Sequence, residues 1–276
     1  MSVVPRLSSM RIIALPLARK PLNSSKLLPV FYNFKITAPP PLKKPLRTPG
    51  FFTRWLPDEG LGKWASHKAT TTWAGFGTAP DGTIKKRAFV LGERLMDQLD
   101  FEESYLKTID LSIAPALTEK AEEISLFYPS SVLSGPQSLD NLRALVEERI
   151  PLHNRGLALY IFFAILSAPL KLIPIIPNFP FYFCAWRSWS HWKAKRAAQY
   201  IQSLIKSNRI VPKQLEDLNS VYALHTNLEK SAANLLPREA LDKAIRILTL
   251  SLEESKDLLR AYDQVIVRAS KTTKSP

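Results

Sequence analysis

Residues 156–186 read GLALYIFFAILSAPLKLIPIIPNFPFYFCAW, an apolar run with one charge, Lys171. Such a run must be buried in a core or placed in a membrane, because its side chains offer water almost nothing. As one straight helix its 31 residues would reach about 46 Å, against a hydrocarbon core of about 30 Å. Pro169, Pro174, Pro177 and Pro180 each remove a backbone donor, so a straight helix is not expected. Lys171 and the prolines divide the run into 157–170 and 172–186, each shorter than the roughly 20 residues of a full span. Three arrangements remain open: a hairpin that enters the bilayer and returns, a single kinked and tilted span, or a buried helix pair. Basic residues flank both ends, Arg149 and Arg155 before, Arg187, Lys193, Lys195 and Arg196 after. Positive charge at both ends favours both ends on one side, hence the hairpin. Aromatics crowd the second end (Phe179, Phe181, Tyr182, Phe183, Trp186, Trp189, Trp192), as in an interfacial belt.

The charge distribution is lopsided. The 276-residue chain carries 38 Lys and Arg against 24 Asp and Glu, a net +14. No acidic residue precedes Asp58, while that stretch holds ten basic ones, from Arg6 to Arg54. Acid-free, Arg- and Ser-bearing and partly apolar is the composition of a mitochondrial transit peptide. The other reading is a basic arm that touches nucleic acid or anionic lipid. Pro39, Pro40 and Pro41, followed by Pro45 and Pro49, predict an extended polyproline stretch.

The rest reads as helical. Residues 51–83 mix tryptophans and glycines without period, and predict short turns and loops. Leu91, Leu95 and Leu99 recur at helical spacing. A helix over 138–149, capped by Ser138, is expected to stop at Pro151. Near the C-terminus Leu241, Ile245, Leu248, Leu252, Ser255, Leu259, Tyr262 and Ile266 follow a 4-3 spacing, a heptad seam for a coiled coil or a helical bundle. The fold class is therefore mainly α, with an irregular Pro/Gly-rich N-terminal third, a short apolar membrane hairpin and a C-terminal helical bundle or coiled coil. The divisions are a basic Pro-rich targeting segment (1–50), a mixed loop and helical matrix region (51–155), the apolar hairpin (156–189), C-terminal helices (190–269) and a disordered tail (270–276).

Chemical motifs are sparse. His67, His153, His191 and His225 are far apart, none pairs at i+3 or i+4, and no metal site or cofactor is expected. Cys184, the single cysteine, lies among aromatics and reads as a packed thiol. Gly75 and Gly77 form a bare GxG that reads as a turn beside Trp73. Asp58, Glu59, Asp97, Asp100, Glu102 and Glu103 read as helix caps and solvated faces. No catalytic constellation is visible, so an enzyme is not expected. The tryptophans gather at the apolar segment and the glycine turns, which argues against nucleic acid. No Asp or Glu lies between Arg149 and Gln214. A carrier exchanging protons for cations needs an ionisable acid inside the membrane. Lys171 would repel a cation there.

Three blocks carry a resemblance. They are MRIIALPLARK (10–20); ASHKATTTWAGFGTA (65–79) through GERLMDQLDFEESYLKTID (92–110); and YPSSVL (128–133) through IPNFPFYFCAWRSWSHWKA (176–194). The last is the most specific, in Pro177, Asn178, Pro180, Trp186, Arg187, Trp189, Ser190 and His191. Over about residues 10–205 the chain resembles the mitochondrial K+/H+ exchange-related family. The resemblance implies a mitochondrial inner-membrane protein that supports matrix potassium and volume balance. It implies no catalytic residue. Because the first block starts at Met10, it also implies import through an uncleaved or internal signal. The expected role is a component or regulator of potassium/proton exchange, the alternative an inner-membrane scaffold or assembly factor with an indirect effect on ion balance. Expected partners are the membrane, through anionic lipid, and a protein partner or second copy through the heptad helix.

Overall fold

The computed structural model describes residues 9–18, 28–37, 67, 71–97, 99–117, 123–169, 179–223 and 236–273. In chain order they hold strands β1 (Ser9–Pro16) and β2 (Val30–Thr37), helices α1 (Ile84–Asp97) and α2 (Phe101–Lys107), strand β3 (Ile124–Tyr128), helices α3 (Gly135–Ser167) and α4 (Phe179–Lys206), strand β4 (Ile210–Gln214), and helices α5 (Glu216–Ala223), α6 (Arg238–Ile247) and α7 (Leu252–Thr273). The chain divides into two units, residues 40–99 and the remainder.

Helices dominate, as expected, but the larger unit is built on a mixed sheet that composition did not announce. The strand order is β2-β1-β3-β4. β1 runs antiparallel to β2 and parallel to β3, and β3 runs parallel to β4. One row of partners crosses the whole sheet: Phe34, Ile12, Leu126 and Pro212. Pro212 is tolerated because β4 is an edge strand.

This corrects the reading of the N-terminal third as irregular. Parts of the segment assigned to targeting, 9–16 and 30–37, are core strands. In β1, Ile12, Ile13, Ala14 and Leu15 are all buried. A central strand covered on both faces needs a continuous apolar run, not alternation, and such a run has no signature of its own in an acid-free context.

α3 runs 33 residues straight through Pro151, which was expected to end it. Pro151 lies on the exposed side, where losing one backbone donor is tolerated. The helix begins earlier than expected. Ser134 caps it, with its hydroxyl accepting from the Gln137 N–H and the Gln137 side chain accepting from the Ser134 N–H. α3 and α4 pack antiparallel, since Asn154 meets Lys195, His153 meets His191 and Tyr160 meets Phe183. Together they form the connection between the parallel strands β3 and β4. Their inner halves pack on the body; Leu142, Leu145 and Val146 are buried, as are Ala194, Ala197 and Ile201. Their outer halves do not. Leu159, Phe162, Ile165 and Leu166 of α3 are exposed, Leu166 by 64%. Among the described residues α3 is the one helix long and apolar enough to cross a membrane.

The C-terminal heptad seam is not one helix. α6 ends at Ile247 with Leu248 as its C-cap, and Thr249 takes a left-handed φ of 47°. Ser251 and Glu254 then form a capping box that opens α7. Leu252 is 73% exposed and Ile266 also faces out. The buried set in α7 is instead Leu258, Ala261, Tyr262, Val265 and Ala269, spaced i, i+3, i+4, i+7, i+11 for one helix face. α7 packs on α2 and β2 of its own chain. Lys35 of β2 donates to the Leu248 carbonyl at 3.2 Å, satisfying an orphan acceptor at the end of α6.

In the smaller unit Trp73 packs on Phe89 at 5.2 Å between centroids and donates to Glu93 at 3.1 Å. Gly92 makes this possible, because a Cβ there would stand 2.3 Å from the Trp73 ring.

Candidate functional site

α2 is short, but its first turn carries Glu102 and Glu103, both buried. Buried carboxylates need partners, and each finds a different set. Glu102 and the preceding Asp100 face two arginines. Arg149 of α3 reaches Asp100 at 3.0 Å and Glu102 at 3.2 Å. Arg268 of α7 reaches Glu102 at 2.7 Å and Asp100 at 2.9 Å. This clasp joins α2, α3 and α7.

Glu103 faces α4. Its Oε1 accepts from Arg187 at 2.8 Å and from the Ser190 hydroxyl, with Lys107 at 3.5 Å. Lys107 also donates to the Ser190 hydroxyl oxygen at 3.0 Å. Burial would push Glu103 up, but the Ser190 hydroxyl, Arg187 and Lys107 outweigh it and hold the carboxyl down at about 2. Burial pushes the Lys107 ammonium down, and Glu103 works against that.

Arg187 bridges onward. Its Nη2 donates to His191 Nε2 at 3.1 Å, and His191 Nδ1 lies 3.1 Å from His153 Nδ1. The donors fix the tautomers. Because a guanidinium can only donate, His191 Nε2 is the acceptor and its proton sits on Nδ1. That proton is given to His153 Nδ1, so His153 carries its own proton on Nε2. Nε2 of His153 is buried and has no hydrogen-bond partner. The Tyr160 ring stacks on His191 at 5.5 Å, and the Arg187 guanidinium lies over Tyr160 and Trp186 at 5.3 and 5.7 Å from their ring centroids. Gly156 permits the imidazole to come this close to α3, since a Cβ there would lie 2.6 Å from the His191 ring.

Beyond this layer Leu159, Phe162, Ile165 and Leu166 of α3 are exposed. Just outside it, Trp189 and Trp192 stack at 4.8 Å, and Arg196 lies over Trp192. Trp189 is 59% exposed.

Of the residues singled out in the sequence, Arg187, Ser190 and His191 meet in the network and Trp186 supports Arg187. Trp189 faces away from it. Pro180 is exposed in the first turn of α4. Lys171, Pro177 and Asn178 lie outside the described residues, as does His225. Sequence reasoning missed Glu103, Lys107, His153 and the Arg149–Arg268 clasp. Glu102 and Glu103 were read as solvated; both are buried. The available signal was that 92–110 and 176–194, which carry the resemblance, supply opposite charges that a fold could bring together.

A family model described as mitochondrial K+-H+ exchange-related matches residues 11–205. The chain is 24% identical over 196 residues to an uncharacterized protein of Saccharomyces cerevisiae, which covers 69% of this chain and 61% of the relative. It is 24% identical over 164 residues to an uncharacterized protein of Schizosaccharomyces pombe, covering 58% of this chain and 70% of that one. No solved structure matches. The family match takes in β1 from Arg11, β2, β3, the α3–α4 hairpin as far as Ile205 and every residue of the Glu103 network, and on it the chain belongs to the mitochondrial K+-H+ exchange-related family.

Proposed function

We propose that this protein is a component or regulator of mitochondrial potassium/proton exchange, held in the inner membrane by the outer half of the α3–α4 hairpin. The observation that carries the reading is the exposed apolar outer half of the hairpin, among the described residues, in a chain of this family. Leaving Phe162, Ile165 and Leu166 in water is unfavourable by roughly 1.5–3 kcal/mol for each such side chain relative to burial. The Trp189–Trp192 pair with Arg196 sits at the hairpin's base, the level at which aromatic and cationic residues favour an anionic lipid surface. The ladder between β3 and β4 supports a hairpin over a single span, because a single span would put β4 across the bilayer from its partner strand.

A regulator or subunit fits better than a carrier. Beyond Arg149 the hairpin holds no carboxylate, and Glu103, which packs against its base, is already paired with Arg187 and Lys107. Potassium-acetate swelling of de-energised, magnesium-depleted mitochondria tests the reading. Swelling is expected to fall without the protein and to return with nigericin, an added K+/H+ exchanger. Normal swelling would overturn it and favour a membrane scaffold.

A further inference from the structure

We propose that Glu103, His153 and His191 form a zinc-type metal site at the base of the hairpin, for which the Arg187 guanidinium is the resident competitor. Each of the three residues offers one ligand atom, and these atoms lie within 4.8 Å of one another. All three side chains are buried. The two Nδ1 atoms stand 3.1 Å apart. Two imidazoles on one tetrahedral zinc, with Zn–N near 2.0–2.1 Å, have their nitrogens about 3.3 Å apart.

The carboxylate is arranged to take part. The contacts described for Glu103 run to Oε1, from Arg187, Ser190 and Lys107. Oε2 can then ligate while Oε1 stays held, the outer support that metal-bound carboxylates use. Two imidazoles and one carboxylate suit zinc and not potassium, magnesium or calcium, which take oxygen ligands.

Arg187 sets the condition. Its guanidinium spans Glu103 and His191, so a cation already occupies part of the charge that a metal would neutralise. Metal on Nδ1 of His191 puts the ring proton on Nε2, facing the Arg187 donor, and that hydrogen bond must open. The Tyr160 and Trp186 faces beside the guanidinium can keep it in place. Arg187 and Lys107 together lower affinity, so binding is expected only for an ion with a strong imidazole preference. Such an ion would tie α2, α3 and α4 at one point.

The test uses the full chain, purified in nanodiscs, titrated with Zn²⁺ against a chromophoric chelator and with Co²⁺ read by visible absorption. Expected are zinc binding by the wild type with a tetrahedral cobalt spectrum, and loss of roughly ten-fold or more in His153→Gln and Glu103→Gln. Arg187→Gln is expected to bind tighter, a gain that misfolding cannot imitate. The proposal is overturned if His153→Gln binds zinc as the wild type does, or if neither the wild type nor Arg187→Gln binds. These readouts are independent of potassium flux, so they stand or fall apart from the exchange reading.

Discussion

Arg268 and Glu102 are 166 positions apart in the chain and 2.7 Å apart in the fold. The contact fastens the C-terminal helix α7, which lies outside the family match, onto α2, which lies inside it. Arg149 approaches the same carboxylate from α3 at 3.2 Å and is the more buried of the two arginines. Arg149→Ala should therefore cost more than Arg268→Ala. Removing one partner of a buried pair costs about 3 kcal/mol, whereas the partly exposed Arg268 should cost about 1 kcal/mol. Urea unfolding of the two variants checks the order.

Gly156→Ala should destabilise. In an ordinary helix interior that change is favourable by about 1 kcal/mol. Here the new Cβ would meet the His191 ring at 2.6 Å and push it off His153. A melting temperature above the wild type's would show that the imidazole gives way freely.

Glu254 supplies a pH test. Burial raises its carboxyl, but the Asn33 amide and the Ser251 backbone and hydroxyl outweigh that and set it below its ordinary value of 4.5. A carboxyl depressed on folding stabilises above 4.5 and loses that contribution as pH falls through the folded value. The stability gap between the wild type and Glu254→Gln should thus shrink below pH 4.5. A gap that grew in acid would contradict the Asn33–Glu254 contact at 2.8 Å.

Ile165→Lys with Leu166→Lys should release the protein from vesicles in a flotation assay while leaving the unfolding midpoint nearly unchanged. Both residues are exposed, Ile165 by 70%, so the folded body does not depend on them. A shifted midpoint with retained flotation would mean that these residues pack within the protein.

The apolar hairpin and the helical majority were legible because their signals are local: composition over 30 residues, and period within a helix. The capping boxes at Ser134–Gln137 and Ser251–Glu254 were not legible in the same way: Ser138 reads as the first cap, and a strong heptad spacing hides the second, since periodicity alone does not see the four-residue break at 248–251. The strand at 9–16 was masked by its charge context. The Glu103 network had no local signal. His153 and His191 fail every ligand-spacing rule because each comes from a different helix, and only the antiparallel packing of α3 on α4 brings them together.

The order of the sheet bears on how the chain assembles. β1 is central, yet apart from β2 its other neighbour, β3, arrives more than 100 residues later, and β4 later still, after the hairpin. A chain that emerges N-terminus first must hold Ile12, Ile13 and Leu15 on an incomplete sheet until both insertions are made. Because the α3–α4 hairpin lies between β3 and β4 in the chain, the last ladder closes only when the hairpin has brought its two arms together, and a failure there would leave an open strand edge at β3.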